Sequence, residues 1–175
     1  MKVFFGGMAF AMLLALGATA TASAAQELTV HTFSGYCDYE GFIQFRDPVG
    51  VVPEPNVLVF DVAGPCTGTL DGRQVVNETA RFQDKAEGMM SCTQGLQIDG
   101  PGRMRINGAT IGFGFTEFRF GPVSKFSFTG ESGGSLEGVG ATSDELPFLI
   151  DRCMAGDGSL RRVNVYAHIA GSISG

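Results

Sequence analysis

The stretch GYCDYEGFIQF, residues 35–45, followed by LVFDVAGPCTGTL, residues 58–70, decides the fold. In the first, Cys37, Tyr39, Ile43 and Phe45 alternate with Asp38, Glu40 and Gln44, with Phe42 as the exception. In the second, Leu58, Phe60, Val62, Cys66 and Leu70 recur at even positions. A period of two is the signature of a strand with one buried and one solvated face. The segment between them carries Pro48, Pro53 and Pro55, which lack the amide a central ladder needs, so Asp47 to Pro55 reads as a connection. A hairpin centred there pairs Phe45 with Leu58, Ile43 with Phe60 and Cys37 with Cys66. That one register places the apolar residues and both thiols on the same face. It predicts a Cys37–Cys66 bridge and, by elimination, Cys92–Cys153. On the loop-entropy account each bridge stabilises by roughly 3.5 to 4.5 kcal/mol.

Reading four cysteines as two disulfides requires an oxidising compartment, and the N-terminus supplies the reason for one. Lys2 is followed by an uncharged run from Val3 to Ala25, most apolar over Met8 to Leu16 and ending in small residues. This is the pattern of a secretory signal peptide over residues 1–25, with residues 26–175 as a single secreted domain. Ala22 and Ala24, or Ser23 and Ala25, mark two cleavage points, so the mature chain begins at Ala25 or Gln26. An uncleaved anchor is the competing reading, since the run could cross a core of about 30 Å, but Gly6, Gly7 and the Ala/Thr/Ser tail make its second half weakly apolar. Residues 26–175 suffice to bury roughly two-thirds of the unfolded surface.

Removing Lys2 from the 12 basic residues leaves 11 against 18 acidic ones, a net charge of −7 with the acids scattered. That balance argues against nucleic acid and against an anionic membrane surface as partners. Without a C-x-x-C pair and with two histidines in all, no metal site or cofactor is called for.

Further hairpins follow from turn chemistry. Asp71-Gly72 and Asn107-Gly108 are the pairs preferred where both central residues need positive φ, and the second aligns Met104 with Ile111 and Ile106 with Ala109. The strand beyond continues through Phe113 and Phe115. After Glu117 the apolar parity passes to Phe118 and Phe120, which predicts a β-bulge or break near Thr116. Gly121-Pro122 and Gly130 to Gly134 turn the chain again. Phe126 and Phe128 face inward, and Gly112, Gly114, Gly138 and Gly140 mark curvature within strands. Ser143, Asp144 and Glu145 open one helix whose Leu146, Leu149, Ile150, Cys153 and Met154 share a face, with Gly156 as its stop. A final strand spans about Arg162 to Ala170. The expected architecture is all-β: an antiparallel meander of about nine strands forming a β-barrel, with a two-sheet β-sandwich as the alternative and one short helix near the C-terminus.

The pieces GYCDYEG at 35–41, GPCTG at 64–68, the Asn107-Gly108 hairpin and CMAG at 153–156 resemble a group of uncharacterised secreted bacterial β-proteins. The resemblance implies an extracytoplasmic β-fold with paired cysteines and carries no functional residues across.

Gly130-Glu131-Ser132-Gly133-Gly134 satisfies G-x-S-x-G and is similar to the nucleophile segment of trypsin-like proteases, with His31, Asp61 and Ser132 in that family's order. Its context does not fit, because it joins two Gly-rich strands rather than a strand to a helix, and His31 stands near the mature N-terminus. A flexible turn is the plainer reading, and a secreted serine hydrolase is the alternative kept. His168 belongs on the polar face of the last strand. Asp38 with Glu40, and Glu117 with Arg119, share strand faces and are read as solvated unless a facing strand brings a partner. Asn77-Glu78-Thr79 matches the glycosylation sequon. Fifteen Phe and no Trp suit a filled interior, but Phe113, Phe115, Phe118, Phe126 and Phe128 could also line a cavity for a small hydrophobic ligand. The expectation is a non-enzymatic exported β-domain that binds such a ligand or an extracellular or envelope protein; a purely structural surface protein is the third option.

Overall fold

The turn signals become hairpins, and the strands between them close into a ring. The computed structural model describes residues 29–142, 146–156 and 160–175. Among them it places eight strands: β1 (Thr32–Val49), β2 (Glu54–Leu70), β3 (Arg73–Met90), β4 (Gln94–Ile106), β5 (Ala109–Phe120), β6 (Val123–Gly130), β7 (Gly133–Thr142) and β8 (Leu160–Ser174). One helix, α1 (Leu146–Met154), precedes β8. Neighbouring strands are antiparallel and β8 pairs back on β1, so the meander is a closed barrel rather than a sandwich. The signal peptide expected over residues 1–25, and Ser143, Asp144 and Glu145 of the expected helix start, lie outside the described residues.

The first hairpin has the register the alternation dictates, with Phe45 opposite Leu58, Ile43 opposite Phe60 and Cys37 opposite Cys66. Both disulfides are formed, Cys37–Cys66 and Cys92–Cys153. They imply an oxidising, extracytoplasmic environment. The connection is shorter than the prolines imply: β1 runs to Val49, and Pro48 sits where its pairing with β8 is irregular, the place a strand tolerates a missing amide. Asp71 and Gly72 take φ of 50° and 75°, and Asn107 and Gly108 take 51° and 85°, the mirror-image turn geometry both pairs were read for.

The break expected near Thr116 does not occur. Strand β5 is continuous and pairs in one register with β6, from Phe113 opposite Gly130 to Phe120 opposite Val123. The irregularity is on the facing strand β4, around Gln97, whose φ is 45°. Unbroken alternation therefore turns Glu117 and Arg119 into the barrel and leaves Phe118 and Phe120 outside. Solvation of the Glu117–Arg119 face is accordingly corrected: both side chains are buried.

Inside, Tyr39, Phe60, Phe82, Phe113, Phe115, Phe126 and Phe128 form one continuous set of ring contacts, with centroids 5.0 Å apart for Phe113 and Phe128 and 5.4 Å for Phe60 and Phe115. Packing of this kind is that of a solid core. Gly140 belongs to it: a Cβ there would lie 2.3 Å from the Phe126 ring. At one end the β2–β3, β4–β5 and β6–β7 hairpins form the rim. At the other end α1 lies under the barrel, tied by Cys153 to Cys92, with Ile150 packed against the core. Met154, expected on the buried face of α1, is exposed at its end, and Gly156 stops the helix with φ 78°. Outward positions of β3 and β4 carry Arg81, Gln83, Lys85, Glu87, Arg103 and Arg105, the reverse of the apolar girdle of a lipid-facing barrel.

Candidate functional site

The inward alternation of β5 assembles a polar band within the core. Glu117 is fully buried and Arg119 is 2% exposed, with Asp84 of β3 and Ser124 of β6 beside them. The Ser124 hydroxyl donates to Glu117 Oε1 at 2.6 Å, and Arg119 Nη2 donates to the Ser91 carbonyl at 3.0 Å, its guanidinium 5.3 Å from the centre of the Phe45 ring. The two Asp84 oxygens, Glu117 Oε2, Arg119 Nε and the Tyr39 hydroxyl have no hydrogen-bond partner among the described residues. Burial, reinforced by the Glu117 charge, pushes Asp84 up to about 8. Burial also raises Glu117, against the opposing pull of Arg119 and Ser124, and raises the Tyr39 phenol. The band can hold a proton at neutral pH. Glu117 and Arg119 are enclosed, whereas Asp84, 7% exposed, also lines a surface depression with Gln83, Pro101, Gly102 and Arg103.

The outer wall shows the complementary oddity. Cross-strand pairing sets Phe120, Val123, Ala141, Tyr166, Glu40 and Ala63 in one outward row, and Phe118, Lys125, Val139, His168 and Asp38 in the next. Phe120 is 62% exposed and Val139 60%, whereas the outward positions of β3 and β4 are mostly charged, with Val76 and Met89 as exposed apolar exceptions. Where these rows cross β7, β8, β1 and β2 they form a groove of about 570 Å³. Its floor is Ala63, Gly64, Pro65 and Ala141, and its sides are Asp38, Glu40, Tyr166 and His168. The local sequence explains the hollow: a Cβ at Gly64 would strike the Asp38 carbonyl oxygen, so β1 and β2 approach closely there and Pro65 offers no amide to the ladder.

His168 is on the solvated face as expected. It is also the facing-strand partner on which the reading of Asp38 was conditional: His168 Nδ1 lies 2.6 Å from Asp38 Oδ1, and the His168 ring stacks on Tyr36 at 5.6 Å. Glu40 lies opposite Tyr166.

The protease-like set is not assembled. Ser132 is exposed at the tip of the β6–β7 hairpin, its amide donating to the Ser174 carbonyl. His31 Nδ1 is 2.8 Å from Asp71 Oδ2, a contact that together with the Thr32 amide holds the Asp71 carboxyl below its usual range. Asp61 takes the Arg81 guanidinium at 2.8 and 2.6 Å and is lowered by it.

Of the five rings considered for a ligand cavity, Phe113, Phe115, Phe126 and Phe128 pack on one another, and Phe118 faces outward, which corrects its place in that set. Asn77 of the sequon is exposed on a bulge of β3, with φ 54° and its amide donating to Thr67 Oγ1. Among the described residues, no helix is long and apolar enough to cross a membrane. No family model matches this chain, and neither a curated protein nor a solved structure does.

Proposed function

We propose that the protein is a secreted, non-enzymatic binding domain that engages an extracellular or envelope partner through the outer wall of β5–β8 and β1. The observation that carries this reading is the continuous outward set Phe118, Phe120, Val123, Val139 and Tyr166 on a barrel whose interior is already filled by its own rings. Exposed apolar side chains contribute nothing to folding, and contiguous ones mark contact surfaces. Secretion is supported by the signal-peptide pattern at residues 1–25 together with the disulfides. The filled core favours a protein partner over the small apolar ligand.

Photo-crosslinking in the native host tests this reading. A benzophenone side chain replacing Val139 is expected to capture a discrete adduct that the same group replacing Gln83, on the charged β3 face, does not. Equal labelling from both positions, or none from Val139, overturns the proposal.

A further inference from the structure

On the reading that this wall is the contact surface, we infer that its partner presents a basic amphipathic segment. One lysine or arginine side chain sits in the groove of β8 and β1, and apolar side chains lie on β5 to β7.

The groove has the chemistry of a cation seat. Asp38 and Glu40 project from alternate positions of β1, flanked by the exposed Tyr36 and Tyr166 rings, 44% and 50% accessible. Asp38 shares one oxygen with His168, and Glu40 forms no ion pair among the described residues. Carboxylates beside aromatic faces favour a guanidinium or ammonium through charge and through the ring quadrupole. The same wall already does this with a residue of its own. Two positions along β1 from Glu40, the Arg162 guanidinium lies 3.8 Å over the Phe42 ring. Arg81, the cation across Ala63, is held in a fork by Asp61, so it does not neutralise the groove.

Charge also selects among occupants. The chain's net charge of −6 opposes a second copy and any acidic surface, and steers a basic segment inward. On the β5–β7 part of the two rows the cation is Lys125, placed between Phe118 and Val139. It repels a basic group from the β5–β7 side, and so fixes which end of the segment meets β1.

The test uses labelled ten-residue peptides, capped at both ends, with the folded protein. One alternates leucine and lysine, a second has glutamate for lysine, and a third has serine for leucine. Fluorescence anisotropy is expected to show binding of the first alone, weakening as salt rises. Asp38→Asn with Glu40→Gln should weaken it roughly tenfold. The same loss of charge away from the groove, Glu54→Gln with Glu87→Gln, should leave it unchanged. These positions are exposed, and far-UV circular dichroism confirms folding of both double variants. Comparable losses in the two, binding of the glutamate peptide, or no binding at all overturns the basic-segment inference. If the first peptide still binds the Asp38/Glu40 variant but not Phe120→Glu, the inference fails while the contact-wall reading stands.

Discussion

Strand β5 is built in opposite senses along its length. Toward the Asn107-Gly108 turn, Ile111, Phe113 and Phe115 point in, and Thr110 and Gly114 point out. Toward the Gly121-Pro122 turn, Glu117 and Arg119 point in, and Phe118 and Phe120 point out. The first half is what burial alone would choose. In the second, two charged groups leave water and two rings enter it, and neither change favours folding. Register, pinned by turns at both ends, overrides the preference of each residue. Such local conflict with the fold is where function is expected to reside.

The comparison breaks most visibly with the rings. Phe128→Ala, in the apolar half, should cost about 3–5 kcal/mol in urea unfolding, whereas Phe120→Ala on the outer wall should stay within about 0.5 kcal/mol. Similar costs for the two would erase the distinction between an inward and an outward aromatic set.

At the helix-capped end, replacing Cys92 and Cys153 together by serine opens a bridge between residues 61 apart in sequence. A loss of roughly 4 kcal/mol is expected from urea midpoints under non-reducing conditions. A loss well below that would mean that packing of Ile150, rather than the covalent tie, holds α1 in place.

A third test sharpens the polar half. Unfolded aspartate titrates near 3.9, while Asp84 in the fold titrates at about 8. Between those values the folded state keeps a proton that the unfolded state has released. Stability therefore falls as pH rises from about 4 to about 8 and levels off above. Asp84→Asn should flatten that slope and raise stability at pH 8 by a few kcal/mol, measured by urea titrations across the range. An unchanged slope would place the proton elsewhere.

The ring, its hairpins and both disulfides were legible because each rests on a local rule: period two, positive-φ turn pairs, and thiols meeting in a single register. Legibility fails at residues 116–120, where apolar parity predicts a bulge or break that keeps Phe118 and Phe120 inside. Strict alternation from Asn107-Gly108, continued to the Gly121-Pro122 turn, would have placed Glu117 and Arg119 inward; Ser124, in phase with Phe126 and Phe128, was the available hint. The groove was out of reach for a different reason. Asp38 and His168 are 130 residues apart, and only closure of β8 on β1 makes them neighbours.

That closure has a consequence for recognition. At that seam β1 and β8 pair from Thr32 opposite Ser174 to Val49 opposite Leu160, so among the described residues neither chain end of the meander is left as a free sheet edge for a visiting chain to zip onto. Recruitment by strand addition is thereby denied at the β1–β8 seam, and a guest on the groove that crosses it is read through side chains.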